Sequence, residues 1–179
     1  MATMSKAAAK VAGKAKGAAK ALAGYPKIFN HLAAEHAELA TLMKRVSASA
    51  DDSSVREELF PDICKNLLAH AHAEEKEFYP VLEEFPELKS LVDLCFEDHD
   101  HIEDCLDELD AVPMDTTTWM ERFERLVNAV TRHVEREENE LFPVASELVS
   151  RQQSDEMYDS FESFETNEKE ALAAEYQHP

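Results

Sequence analysis

From Ile28 onward, apolar residues recur at steps of three and four, the period of a helix with one buried face, and four such segments can be read. The first runs from about Pro26 to Val46 on Ile28, Leu32, Leu39, Met43 and Val46, with His36 inside the stripe. The second begins at Ser54, where Ser54 and Glu57 have capping-box spacing, and continues through Ile63, Leu67, His70, Glu74, Phe78 and Val81. Pro61 is expected to kink or delay it and Pro80 to bend its far end, because proline lacks the amide hydrogen a helix interior needs. The third starts near Pro86 and carries Leu91, Leu94, Asp98, His101, Cys105 and Leu109. The fourth follows Pro113 and Asp115, with Thr118 and Glu121 as a second capping box, then Phe123, Leu126, Val130, His133, Glu137, Leu141 and Val144. Connections of a few residues favour antiparallel neighbours, so the expected fold is all-α, an up-down-up-down four-helix bundle. Ser154 to Glu175 reads as a short C-terminal fifth helix that packs Met157, Phe161, Phe164 and Leu172 on the bundle. The chain thus divides into an Ala/Lys tail over 1–24, disordered or marginally helical, the bundle over 25–150, and an acidic helix and tail over 151–179.

Composition supports the helical class. Three glycines in 179 residues disfavour an all-β sandwich or a glycine-looped nucleotide fold, which need turn residues this chain scarcely has. Charge changes the picture more. The net charge is −20, yet residues 1–27 hold six lysines and no acid, leaving 12 basic against 38 acidic residues and −26 on the rest. A body so acidic is excluded as a binder of nucleic-acid backbones or anionic membranes, so nucleic acid enters only through the N-terminal tail. Cys64, Cys95 and Cys105 have no C-x-x-C spacing and suggest neither a disulfide framework nor a zinc ribbon. With no apolar run of membrane-spanning length and no secretory signal, the expectation is a soluble cytoplasmic protein.

Two segments repeat each other. His70-Ala-His-Ala-Glu74-Glu-Lys-Glu-Phe-Tyr-Pro80 and His133-Val-Glu-Arg-Glu137-Glu-Asn-Glu-Leu-Phe-Pro143 both read H-x-x-x-E-E-x-E-[FL]-[YF]-P. A four-residue step is little more than one helical turn, so each His and Glu point the same way and can serve one centre. His36 and His101 supply one imidazole each from the other two helices. A single His on an apolar stripe is usually a hydrogen-bonded core residue. Four His and two Glu on inward stripes are harder to bury, because a buried carboxylate needs a counter-charge and no Lys or Arg shares those stripes. A bound cation is the natural partner, and imidazoles with carboxylates suit iron first, manganese or zinc as competitors. His72 points away from His70, His99 stands in the same relation to His101, and His31 lies half a turn off His36, within reach of an outer layer. Cys105 reads as a small buried residue one turn past His101.

On these motifs, over roughly residues 28–149, the chain resembles the hemerythrin-like, His/His/Glu cation-binding family. The resemblance implies two iron ions, a non-heme di-iron centre inside a four-helix bundle, with His36, His70, His101 and His133 as terminal ligands and Glu74 and Glu137 as bridges. It departs from the oxygen carriers of that family at two places: Glu97 or Asp98 stands where they have a second His, and the last motif ends in H-x-x-x-E rather than H-x-x-x-x-D. The pattern is closer to the iron–sulfur repair and iron-handling branches, without the cysteine-bearing N-terminal domain of the repair branch.

Three functions compete at this stage. The first is a di-iron protein that binds or reacts with O₂, NO or peroxide; four His and two shared carboxylates leave open positions on both irons, which favours reactivity over reversible carriage. The second is non-enzymatic iron storage, buffering or delivery, including iron–sulfur repair. The third is a structural bundle docked to a partner by its basic tail.

Overall fold

The computed structural model describes residues 24–49 and 52–176, and every regular element among them is a helix. α1 spans Lys27–Ser47, α2 Ser53–Ala73, α3 Tyr79–Leu82, α4 Lys89–Asp110, α5 Thr117–Arg136, α6 Phe142–Leu148 and α7 Arg151–Glu175. Two five-residue π turns, Glu74–Phe78 and Glu137–Leu141, join α2 to α3 and α5 to α6. The basic tail expected over 1–24 lies, Gly24 apart, outside the described residues.

Local chemistry sets the helix starts, and at two of them it differs from the expected capping boxes. Asp52, not Ser54, caps α2, accepting from the Ser54 amide at 3.1 Å. Thr116, not Thr118, caps α5, its hydroxyl accepting from the Trp119 amide at 3.1 Å. Both helices therefore begin slightly earlier than expected, since a short side-chain oxygen satisfies an otherwise orphaned first-turn amide. Pro61 neither ends nor delays α2, which runs through it. The fifth helix is not short: at 25 residues α7 is the longest, opened by a reciprocal Ser150–Gln153 capping box. It lies against α1 and α2, where the Ile28 amide donates to buried Ser154 Oγ at 3.1 Å.

The core forms two apolar clusters with the polar residues between them. One gathers Leu39, Met43 and Val46 of α1, Phe60, Ile63 and Leu67 of α2, Ile102, Leu106 and Leu109 of α4, and Trp119, Phe123 and Leu126 of α5. The other gathers the opposite ends: Ile28, Phe29 and Leu32, then Phe78, Tyr79 and Leu82, Val92 and Cys95, and Leu141, Phe142 and Ala145, closed by Met157 and Phe161 of α7. The start of α1 thus meets the end of the α2 segment, and Arg45 meets Glu58 at the other end, so the pair is antiparallel. α4 and α5 are likewise antiparallel, Glu108 pairing with Arg125 and Leu94 O accepting from Arg136.

Two register differences from the sequence pattern matter for function. On α4 the buried row is Val92, Cys95, His99, Ile102, Leu106 and Leu109, while Leu94 is 37% exposed and His101 faces solvent. The stripe expected through Leu91, Leu94 and His101 is the neighbouring row, one residue around the helix. After each π turn the buried row also advances by one residue: Leu82 is buried rather than Val81, and Ala145 rather than Val144, which is 41% exposed. A π turn holds one residue more than an α turn, so every later side chain rotates. Both turns precede a proline, Pro80 and Pro143, and their closing bonds run from Tyr79 N–H to Glu74 O and from Phe142 N–H to Glu137 O. A proline ring clashes with the carbonyl four residues back, and the wider turn relieves that clash without ending the helix.

Candidate metal centre

Between the two apolar clusters, each long helix of the bundle sends in its polar residues at one depth: His36 from α1, His70 from α2 with Glu74 just beyond, His99 from α4, His133 from α5 with Glu137 just beyond. All six are buried, and the two carboxylates are fully so. Each carboxylate reaches imidazoles on both sides. Glu74 lies 3.4 Å from His70 Nε2, 3.3 Å from His99 Nε2 and 3.7 Å from His133 Nε2. Glu137 lies 3.2 Å from His36 Nε2 and 3.5 Å from His133 Nε2. The result is two overlapping ligand sets, His36/His70/Glu74/Glu137 and Glu74/His99/His133, the donor atoms of each lying within 4.8 Å of one another.

Five of the six residues singled out from sequence, His36, His70, Glu74, His133 and Glu137, come together here. His101 does not. It faces solvent on α4, its Nε2 4.0 Å from Cys105 Sγ, and His99 stands in the cluster instead. The cause is the α4 register: His99 continues the row Val92–Cys95–Ile102–Leu106, whereas His101 lies about 200° around the helix from it. His72 points outward as expected, bonding Glu168 of α7 at 2.7 Å.

The sequence reading also missed an outer layer of carboxylates. His36 Nδ1 bonds Glu138 at 3.0 Å, His70 Nδ1 bonds Glu35 at 2.9 Å and His99 Nδ1 bonds Glu75 at 2.9 Å. Each outer carboxylate can accept Nδ1–H and so directs Nε2 inward, where loss of the Nε2 proton would leave the tautomer a metal requires. The layer follows an internal pseudo-two-fold. Glu138 and Glu75 both follow the inner Glu of the repeated motif, and Phe142 and Tyr79, five residues past that Glu, both lie against the facing imidazole, His36 and His99 respectively. The second E of each E-E pair was the available signal. Symmetry fails in this layer at the counterpart of Glu35: Asp98, before His99, pairs with Arg132 at 2.8 Å and with Arg136, and His133 Nδ1 makes no hydrogen bond among the described residues.

Tyr79 adds a further asymmetry. The π turn brings residues five apart onto one side, and the buried Tyr79 hydroxyl lies 2.9 Å from Glu137 Oε1 and 3.2 Å from Glu74 Oε2, so its single proton serves one carboxylate at a time. Phe142, its counterpart, has no such group.

Electrostatics are those of a site that wants positive charge. Burial alone would lower the imidazoles, but Glu137 and Glu138 outweigh it at His36 and Glu74 and Glu75 at His99, raising both to about 9. His70 is raised well above its ordinary value against the same burial by Glu74 and Glu35. Burial would raise Glu74, yet His70, His133 and His99 hold it well below the carboxylate range. Burial lowers His133, aided by neighbouring His99. Tyr79 is pushed far up by burial and by Glu137 and Glu74, which keeps its hydroxyl a donor. Inside the cluster, His36 Nε2, His70 Nε2, Glu74 Oε1 and Glu137 Oε2 are buried without a directed hydrogen bond. Buried polar atoms without a partner are costly, and a cation exchanged for the imidazole protons would join them, so the residues fit a metal.

The chain matches the family described as Hemerythrin HHE cation binding domain over residues 27–145. It belongs to the hemerythrin HHE cation-binding family. Membership implies metal-ion binding, and the His/Glu cluster is a group that could hold such an ion. Among curated proteins it is similar to one named DNA nickase from Nostoc sp. (strain PCC 7120 / SAG 25.82 / UTEX 2576), at 24% identity over 141 residues. The alignment covers 79% of this chain and 40% of that protein, so the chain spans well under half the length of that relative. No solved structure matches it significantly. Among the described residues no helix is long and apolar enough to cross a membrane.

Proposed function

We propose that this chain is a non-heme di-iron protein that binds or reacts with O₂, NO or peroxide inside an up-down-up-down bundle. The observation that carries the reading is the sharing of Glu74 and Glu137 between imidazoles on opposite sides. His36 and His70 would hold one iron and His99 and His133 the other, with both carboxylates common to the pair. Soft thiolates are absent from the set, and imidazole with carboxylate suits iron, with manganese and zinc as competitors. A pair of such ions supplies redox equivalents and, with two imidazoles each, open positions for a small ligand.

The protein's own part is positioning and exclusion. Glu138, Glu35 and Glu75 fix three imidazoles in orientation, Tyr79 offers its hydroxyl proton to the two inner carboxylates, and the apolar clusters above and below keep bulk water out. In this reading 25–150 is the functional bundle, 1–24 a basic tail and 151–179 an acidic appendage. Three free, buried cysteines support a reducing, cytoplasmic setting. The nickase name stays with the Nostoc protein. Beyond residue 27 the chain carries −26, which opposes a phosphate backbone, and nucleic-acid contact is left to the tail.

Anaerobic reconstitution with Fe²⁺, elemental analysis, then optical spectra with O₂ and with NO test the reading. Two irons per chain and a ligand-dependent spectrum are expected, and Glu74→Ala and Glu137→Ala should each lose both irons. Two irons with no spectral response would favour storage or delivery instead. No bound iron, or stoichiometric zinc in preference, would remove the di-iron reading.

A further inference from the structure

A second group of metal-ligating side chains lies outside the six residues above, where α7 covers α1 and α2. His31 and Glu35 of α1 and Glu165 of α7 offer three donor atoms within 4.8 Å of one another. His31 Nε2 is buried with no hydrogen-bond partner, 3.6 Å from Glu35 Oε2. The Glu165 side chain is only 6% exposed and faces Glu35. Lys169 Nζ pairs with Glu165 Oε1 at 2.6 Å and stands 3.5 Å from Glu35 Oε1. Two facing carboxylates are thus balanced by one ammonium on a flexible stem, a group that can swing into solvent when a divalent ion arrives. The set includes an imidazole as well as carboxylates, and the buried Nε2 of that imidazole has no hydrogen-bond partner among the described residues.

Glu35 and Glu165 of the cluster line a solvent-connected cavity of about 60 Å³, together with Glu38, Asn66, His70 and Lys169. His70 is the connection. One face of its ring borders the cavity, its Nδ1 bonds the same Glu35 Oε2 that faces His31, and its Nε2 points at Glu74. A cation seated on the outer cluster is therefore one imidazole away from the inner site, on the His36/His70 side. The His99/His133 side has no equivalent, because Asp98, which corresponds to Glu35, is taken by Arg132 and Arg136.

We propose that His31, Glu35 and Glu165 form a weak outer site for divalent cations, with Lys169 as its placeholder, through which metal enters to fill the His36/His70 position first. The proposal rests on the inner cluster being a metal site, but its own site does not depend on that cluster being filled.

Titration of metal-free protein with Mn²⁺, followed by the electron paramagnetic resonance signal of free Mn²⁺, counts the sites, and stopped-flow mixing gives the loading rate. Wild type should bind two equivalents tightly and a third weakly. Glu165→Gln, close to isosteric, should lose the third equivalent, keep the first two and slow loading roughly tenfold, since a cleft of one charge sign concentrates its counter-ion. Lys169→Gln should tighten the third equivalent. Glu74→Ala should lose the tight pair and retain the weak site, so a failure of the inner reading is seen separately. A Glu165→Gln protein that keeps the third equivalent, or loads at the wild-type rate, overturns the proposal.

Discussion

His99→Ala and His101→Ala differ by two positions on one helix and should behave as opposites. The His99 side chain is 1% exposed and contacts Glu74 at 3.3 Å, Glu75 at 2.9 Å and His133 at 3.3 Å. Removing one partner of a buried ion pair costs about 3–5 kcal/mol, because the remaining charge is left uncompensated in the interior. Glu74 would retain His70, His133 and Tyr79, which places the loss near the lower bound, about 3 kcal/mol. At roughly 2–4 °C per kcal/mol for a chain of this size, the metal-free melting temperature should fall by ~6–12 °C. His101 is exposed, its Nε2 4.0 Å from Cys105 Sγ, so His101→Ala should change stability by less than about 0.5 kcal/mol, or ~1–2 °C. Thermal unfolding followed by circular dichroism, with chelator present, measures both. Metal analysis on the same samples should show His99→Ala losing the metal of the His99/His133 position and His101→Ala losing none. The reverse order, His101→Ala destabilised and metal-poor with His99→Ala unaffected, would refute the α4 register on which the site is built.

Three further outcomes are expected. Glu138→Gln should weaken metal binding by about 10–100-fold in competition with a chromophoric chelator, because the amide no longer holds His36 Nδ1–H as a carboxylate does; affinity equal to wild type would deny the outer layer a role. Tyr79→Phe removes the donor shared by two buried carboxylates and should lower metal-free stability by ~1–3 kcal/mol in denaturant titrations, with helical content retained; an unchanged midpoint would mean that the hydroxyl does not serve them. Deleting residues 1–24 should leave helicity and metal content as they are and abolish any low-salt DNA binding of the full chain, whereas metal loss on truncation would place the tail on the site.

Helical period, the repeated His/Glu/Pro motif and the scarcity of glycine were enough to read an all-helical bundle and five of the six inner residues, because those features are local. An apolar row of three- and four-residue steps buries itself wherever it is, and His and Glu four apart share a face in any α-helix. Even the π turns have a local cause in Pro80 and Pro143, although their effect, a one-residue rotation that exposes Val144 and buries Ala145, is visible only once the backbone is built. Helix α4 marks the boundary of what sequence decided. Along Asp98-His99-Asp100-His101 two rows of similar polarity run side by side, and no local energy term chooses between them. Packing chooses: with Val92, Cys95, Ile102 and Leu106 buried between neighbours, His99 must point inward, and Arg132 and Arg136 of the adjacent helix capture Asp98. The outer carboxylates are decided the same way. Glu35, Glu75 and Glu138 are ordinary helix-surface glutamates until an antiparallel partner brings an imidazole nitrogen to within 3 Å, and Glu165 joins the cavity only because a distant C-terminal helix folds back over α1 and α2. Sequence determined that each helix has an apolar face and supplied the imidazoles and carboxylates that could bind a cation; the contacts between helices decided which row is buried on α4 and which of those side chains meet.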